Sequence, residues 1–284
     1  MGVRYLQSVL KQTCSIDAIH KINLSELSNK TIVVDASIYI YKGVGEDSLV
    51  EHILIILSLF KKYKIHAIFV FDGPPPAQKS HIIQERHKRK KHAEELYHLA
   101  VIMGDGIEAK KMKRQSVRIN ETHIQITKEL VLAWGYDYCV AAGEADEVCA
   151  SLVLNGTAWA CLTEDMDMFL YGCPRILRQL SNYNETVVLN DLQRILSDLE
   201  MDSVDEFRRI VVSTGLSEYS NDSKTADFIT LRDALKTHTI CNPDLMSDSY
   251  SISHVYIPPI LGKANLNTPV SAQDVLYKNG IIIV

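Results

Sequence analysis

The chain has 284 residues, ordinary apolar content and a net charge of −5, which excludes a disordered polyelectrolyte and a bundle of membrane spans. That length can bury a sizeable core, in one large domain or two smaller ones. Six cysteines (Cys14, Cys139, Cys149, Cys161, Cys173 and Cys241) are scattered with no C-x-x-C pair and no histidine at zinc-ligand spacing. Neither a Walker loop nor H-E-x-x-H occurs. Zinc and nucleotide-triphosphate chemistry are therefore not expected, and the cysteines read as reduced core residues.

In chain order, the opening "MGVRYLQSVL" has no charged and apolar leader pattern, and Leu6 stands where a myristoylation signal needs Ser or Thr. An intracellular protein with no membrane attachment is expected. "TIVV" at 31–34 predicts a strand that runs into Asp35. A helix follows over 47–62; its apolar run "ILIILSLF", 53–60, is too short to span a bilayer. "HAIFVF" at 66–71 predicts a second strand, ending at Asp72. Residues 80–134 read as helix with one interruption near Gly104 to Gly106. "YDYCV" at 136–140 leads through "AAG" to Glu144 and Asp146 at the start of a helix over 144–154. "AWACL" at 158–162 runs into Thr163-Glu164-Asp165-Met166-Asp167.

The strand runs are continuous rather than alternating, as expected where both faces of a sheet are covered, and they alternate with helices. A mostly parallel α/β sheet follows. In such sheets ligands bind beyond the carboxyl ends of the strands, where all of these acids stand. Clustered carboxylates repel one another unless a cation or a shared proton relieves them. Hard divalent ions meet that need and activate water for attack on phosphorus. Residues 79–118 carry 11 Lys and Arg against 5 Asp and Glu, so a basic segment sits on an otherwise acidic body. A solvated helical hairpin is the plain reading of that segment, and a phosphate-binding surface the functional one.

The motifs "MGVRYL", "VVDASIYIY", "FVFDGPPPAQKS", "GEADEVCASL" and "CLTEDMDMFLYG", in this order and spacing, resemble the flap endonuclease and XPG family of structure-specific 5′ nucleases. The likeness runs to about residue 219, and the chain is similar to a shortened, divergent member. The resemblance implies a PIN/FEN-like nuclease fold: a central sheet flanked by helices, with a basic helical arch and a divergent C-terminal region. A nuclease domain over 1–240 is implied, with the arch at about 79–125, a helix-hairpin-helix remnant at about 205–240, and an extension of unassigned role at 241–284.

By the same resemblance, Asp35, Asp72, Glu144, Asp146, Asp165 and Asp167 correspond to the metal-binding acids, and Lys79 and Arg86 to the catalytic cations at the scissile phosphate. Tyr41, with Tyr39 close enough to compete, falls where a tyrosine stacks on a base. Gly2 matches a glycine near the active site, and Lys88, Arg89, Lys90 and Lys91 belong to the nucleic-acid-binding arch. The family's G-[ST]-D-Y signature and G-I-G turn are replaced by "VVSTGLSEYSNDSKTADF", in which Glu218 stands for the seventh acid and Asp222 is an alternative. No sliding-clamp box is recognisable.

The implied activity is divalent-metal-dependent hydrolysis near the 5′ end of flapped, nicked or gapped DNA, in replication, repair or recombination. Two Mg²⁺ ions, with Mn²⁺ as substitute, are the implied cofactors. The implied partners are DNA at a flap, nick or single-strand/duplex junction, and RNA, bound by a monomer in nucleus or cytoplasm. A 5′ exonuclease, a junction resolvase or an RNA-cleaving relative would use the same acids. A catalytically silent nucleic-acid-binding scaffold is the alternative of another class; it would have no reason to keep mutually repelling carboxylates.

Overall fold

The computed structural model of the chain describes residues 3, 5–74, 80–214, 224–241 and 258–260. In chain order the elements are α1 (Leu6–Thr13), β1 (Ile19–Asn23), β2 (Thr31–Asp35), α2 (Ala36–Gly45), α3 (Leu49–Lys62), β3 (His66–Phe71), α4 (Ser80–Ile102), α5 (Gly106–Ser116), α6 (Glu121–Ala133) and β4 (Asp137–Val140). They continue with α7 (Ala145–Leu154), β5 (Ala160–Leu162), β6 (Arg175–Ser181), β7 (Thr186–Asp191), α8 (Leu192–Asp198), α9 (Val204–Ser213) and α10 (Lys224–Thr237). The strands form a mixed, mostly parallel sheet in the order β1-β7-β6-β5-β2-β3-β4. Parallel pairing joins β2 to β5, β5 to β6 and β3 to β4, whereas β7 runs antiparallel to β1 and β6. The α/β class expected from the apolar runs is the one observed.

By internal packing the chain divides into two compact units, Met1–Val34 with Asp146–Ile257, and Asp35–Ala145 with Pro258–Val284. In the first unit, Ile32, Val33 and Val34 of β2, all of β5, and Ile176 and Leu177 of β6 are buried. That continuous burial explains why the sequence of these strands does not alternate. Leu6, Val9 and Leu10 of α1 are also fully buried, at the i, i+3, i+4 spacing of one helical face.

In the second unit, α3 buries Ile53, Ile56, Leu57, Leu59 and Phe60, which accounts for the apolar run at 53–60 as one face of a core helix. Phe60, Phe69 of β3 and Tyr136 meet pairwise with ring centroids 6.2–6.5 Å apart, an edge-and-tilt aromatic cluster. Among the described residues no helix is long and apolar enough to cross a membrane.

Three sequence expectations are corrected. The helical stretch 80–134 is broken twice, not once: the second break falls at 117–120, where Asn120 caps α6 by accepting from His123 N–H while the His123 ring accepts from Asn120 N–H. Residues 158 and 159 precede β5 rather than open it, because Ala158 N–H still donates to Leu152 at the end of α7. Of the cysteines, 139, 149, 161 and 173 are buried as expected, but Cys14 is half-buried and Cys241 is exposed. Cys241 follows α10, and its backbone N–H donates to Ser213 Oγ at 3.0 Å.

Candidate functional site

Within the second unit, two of the predicted acids are organised by one serine. Asp35 ends β2 and caps α2: its Oδ1 accepts Ser37 N–H at 3.1 Å, and only 6 % of the residue is exposed. The Ser37 hydroxyl then donates to Asp72 Oδ2. Asp72, at the end of β3 and exposed, accepts on its other oxygen from Ala145 N–H at 2.9 Å. Ala145 is the first residue of α7, so this bond uses one of the amides a helix start leaves without an internal partner. It also fixes the backbone between Glu144 and Asp146, both half-buried.

The chain after Asp72 must pass against the segment carrying Glu144. Gly73 N–H donates to Gly143 at 2.7 Å, and a Cβ at position 73 would lie 2.1 Å from the Ala141 carbonyl oxygen. Only glycine fits there. Ser37 and Gly73 thus shape the surroundings of Asp72 without being acids themselves; the D-x-S spacing after a strand and the D-G step are their signals in the sequence.

Within the first unit, the acids after β5 form a chain of backbone captures. Thr163 Oγ1 accepts Asp165 N–H at 3.1 Å, Asp165 Oδ1 accepts Asp167 N–H at 2.9 Å, and Asp167 Oδ1 accepts Val3 N–H at 2.9 Å. Asp167 heads a short 3-10 turn and is 4 % exposed, while Asp165 is half-buried. Glu164, immediately before Asp165, turns to Arg178 and Gln179 instead. Burial holds the Arg178 guanidinium below its ordinary pKa, and the charges of Glu164 and Asp165 oppose that shift.

The basic segment is a pair of helices, α4 and α5, joined through Gly104 in the left-handed region at φ 72° and capped by Asp105, which accepts from Ile107 and Glu108 N–H. Two sets of its cations differ in their surroundings. On and after α5, Lys111, Lys113, Arg114 and Arg118 pair with Glu108, Asp47, Glu46 and Glu94. On α4, Arg86, Lys88, Arg89 and Lys91 are exposed. Lys90 differs from its neighbours: half-buried, it donates to Tyr41 Oη at 3.0 Å and stands 4.7 Å above that ring. Tyr41 is exposed, whereas Tyr39 is 2 % exposed and stacked on His52, so of the two tyrosines only Tyr41 can offer a ring to a ligand.

Gly2, Lys79, Glu218 and Asp222 lie outside the described residues. Among the described residues, no three His, Cys, Asp or Glu side chains stand in the geometry of a formed metal site; four of the acids instead hold N–H and O–H donors. Their donor set nevertheless fits a hard divalent cation. Every candidate ligand is a carboxylate, and each of these hydrogen bonds occupies one lone pair of an oxygen that has two. Thiolate ligation is disfavoured: burial pushes Cys139 up to about 11 and Cys173 up to about 12.

The chain matches the XPG N-terminal domain over residues 1–93 and the XPG I-region over residues 135–217. It is 30% identical over 200 residues to flap endonuclease 1 of Ignicoccus hospitalis, covering 64% of this chain and 55% of that protein. Against flap endonuclease 1 of Trypanosoma cruzi it is 34% identical over 204 residues, covering 65% and 51%. The chain therefore spans about half the length of the curated relatives it matches. Its fold superposes on the catalytic core of Rad2 in complex with DNA substrate with a TM-score of 0.67 at 20% identity, covering 98% of this chain and 95% of that one. With both family regions matched in order, and with the strand-end acids falling inside them, the chain belongs to the XPG and flap endonuclease family.

Proposed function

We propose that the chain is a divalent-metal-dependent, structure-specific nuclease that hydrolyses phosphodiester bonds near the 5′ end of flapped, nicked or gapped DNA inside the cell. The observation that carries this reading is the recurrence of aspartate at the carboxyl ends of parallel strands, Asp35 after β2, Asp72 after β3, and Asp165 with Asp167 after β5. Domain limits of 1–240 for the nuclease and 241–284 for an extension belong to the same proposal.

In this reading Asp35, Asp72, Glu144, Asp146, Asp165 and Asp167, with Glu218, would hold two Mg²⁺ or Mn²⁺ ions. Bound there, the cations would lower the pKa of a water and offset charge developing on the phosphate oxygens. The protein's own part is positional. Ser37 and Ala145 N–H keep Asp72 from rotating, and the successive captures along 163–167 do the same for Asp165 and Asp167. Lys79 and Arg86 would meet the scissile phosphate, Gly2 would lie near it, and Tyr41 would stack on the adjacent base. Lys88, Arg89 and Lys91 would bind backbone phosphates.

The test is cleavage of end-labelled flap, nicked, gapped and single-stranded DNA, and of matching RNA, by the purified chain. Cleavage is expected with Mg²⁺ or Mn²⁺, to be lost on chelation, and not to be restored by Ca²⁺, whose longer and looser coordination positions water poorly. Asp72→Asn and Asp167→Asn should bind the flap and not cut it. Cutting by both variants at near the unmodified rate, or cutting in chelator, refutes the reading.

A further inference from the structure

Adjacent acids in the loop after β5 are treated in opposite ways. Asp165 turns its carboxylate to the loop itself, capturing Asp167 N–H. Glu164 is drawn to β6: its Oε1 accepts Gln179 N–H at 3.0 Å, and its Oε2 lies 3.5 Å from Arg178 Nε. Arg178, 13 % exposed, donates from its far nitrogen to Gln7 Oε1 on α1. The Gln7 amide reaches Asn190 Oδ1 at 3.5 Å, and the fully buried Asn190 donates to the carbonyls of Ile176 and Val188. A polar line thus runs from the core through Arg178 to the acid loop, entirely inside the first unit.

Two features of this line work against stability. Gln179 adopts φ 54°, in the left-handed region that a β-carbon disfavours, within the irregular register between Arg178 and Ser181. Arg178 is a cation withdrawn from water, and a buried ion pair is commonly matched or bettered by apolar residues of similar volume. Strain and buried charge of this kind collect where geometry must be held for function. Register places them beside the acids: Leu177 pairs with Leu162 at the end of β5, and Thr163 N–H donates to the Leu177 carbonyl.

We infer that Glu164 and Arg178 are positioning residues of the proposed metal centre. Their ion pair, with Gln179 N–H, anchors loop 163–167 so that Asp165 and Asp167 are preset for a cation, and keeps the third carboxylate of the loop out of the ligand set. This rests on the metal-dependent reading above. Ligand-orienting groups typically change metal affinity by about 10–100-fold when removed, without touching substrate.

The test compares the unmodified chain with Glu164→Gln, Glu164→Ala, Arg178→Met and the Glu164→Ala/Arg178→Met pair. Two quantities are read: Mn²⁺ binding to the DNA-free protein by calorimetry, and the Mg²⁺ concentration giving half-maximal cleavage, with kcat and KM for a flap substrate separated. Glu164→Ala should weaken Mn²⁺ binding by about tenfold and raise the Mg²⁺ requirement to match, with KM for DNA unchanged. Glu164→Gln keeps an acceptor for Gln179 N–H and should recover most of the loss. Arg178→Met leaves Glu164 uncompensated and should be at least as weak as Glu164→Ala, while the pair should be no weaker than the worse single change, because both act through one contact.

Unchanged Mn²⁺ affinity in Glu164→Ala, additive losses in the pair, or a change in KM alone overturns the inference while leaving the nuclease reading intact. If the unmodified chain binds no Mn²⁺ and cleaves nothing, both fall. Should Arg178→Met fail to fold, the two Glu164 variants decide the matter alone.

Discussion

Replacing Gly73 by alanine should cost the second unit about 3 kcal/mol, and the proposed site more than its share of that loss. The added Cβ would sit 2.1 Å from Ala141 O and 3.1 Å from the carbonyl carbons of Ala141 and Ala142. All three are backbone atoms, so no side chain can swing aside. Relief requires the ends of β3 and β4 to part, beginning with the 2.7 Å bond from Gly73 N–H to Gly143 and extending to the 2.9 Å bond from Ala141 N–H to Phe71. Overpacking costs roughly 1–3 kcal/mol and a lost hydrogen bond about 1 kcal/mol, which together give the estimate. The same separation lengthens the 2.9 Å contact between Asp72 and Ala145 N–H. A displacement on the order of 1 Å there should slow cleavage by at least about tenfold even where the protein is fully folded. Equilibrium urea unfolding, followed by turnover at saturating flap and Mg²⁺ well below the unfolding midpoint, separates the two effects. A Gly73→Ala protein within about 0.5 kcal/mol of the unmodified chain and equally active would refute the close-approach argument.

Ser37→Ala removes the hydroxyl shared with Asp72 while leaving Asp35 its backbone donor, so turnover should fall roughly tenfold with little change in DNA affinity; an equal loss of affinity would contradict this. Lys88→Ala/Lys91→Ala should lower the slope of log binding constant against log salt by about 2, one counterion per lost phosphate contact. Lys113→Ala/Arg114→Ala, whose cations are already paired with Asp47 and Glu46, should lower it by far less, as a salt titration of flap binding would show. Lys90→Met should disturb stacking of 2-aminopurine placed beside the cut, but not in a Tyr41→Ala background; additive effects would show that Lys90 binds phosphate on its own.

Where the sequence was most informative, local pattern and chemistry coincided. Runs such as "HAIFVF" are buried on both faces, and the acid that ends each run stands at the strand end because chain order alone puts it there. The distinction between Tyr39 and Tyr41 was also legible in principle. Two residues apart on a helix point to nearly opposite sides, and Tyr39 belongs to the face that carries Ala36, Ile40 and Gly43. Side-chain direction between neighbours in a loop was not legible. Nothing local separates Glu164 from Asp165; the difference is made by Arg178 and Gln179, more than a dozen residues away on a strand whose mixed sequence, "RILRQLS", carries no continuous apolar signal. Strands β1 and β6 were hidden for the same reason, since charged and amide residues interrupt them.

The basic segment shows how far charge counting can carry a functional argument. Its 11 cations against 5 acids suggest one broad phosphate-binding surface. Four of those cations, Lys111, Lys113, Arg114 and Arg118, are paired with carboxylates, two of them with Glu46 and Asp47 of the second unit more than 60 positions away in sequence. Exposed pairs like these add little stability, but they do cancel field. With a screening length of about 8 Å at physiological salt, a phosphate responds to the uncancelled charges near it and not to the net −5 of the chain. The exposed cations Lys88 and Lys91 stand on the same turns of α4 from which Lys90 reaches Tyr41. If Lys88 or Lys91 binds a backbone phosphate, as proposed, that phosphate stands on the helix from which Lys90 reaches the exposed Tyr41 ring of α2, and α4 would then also set where an adjoining base can stack.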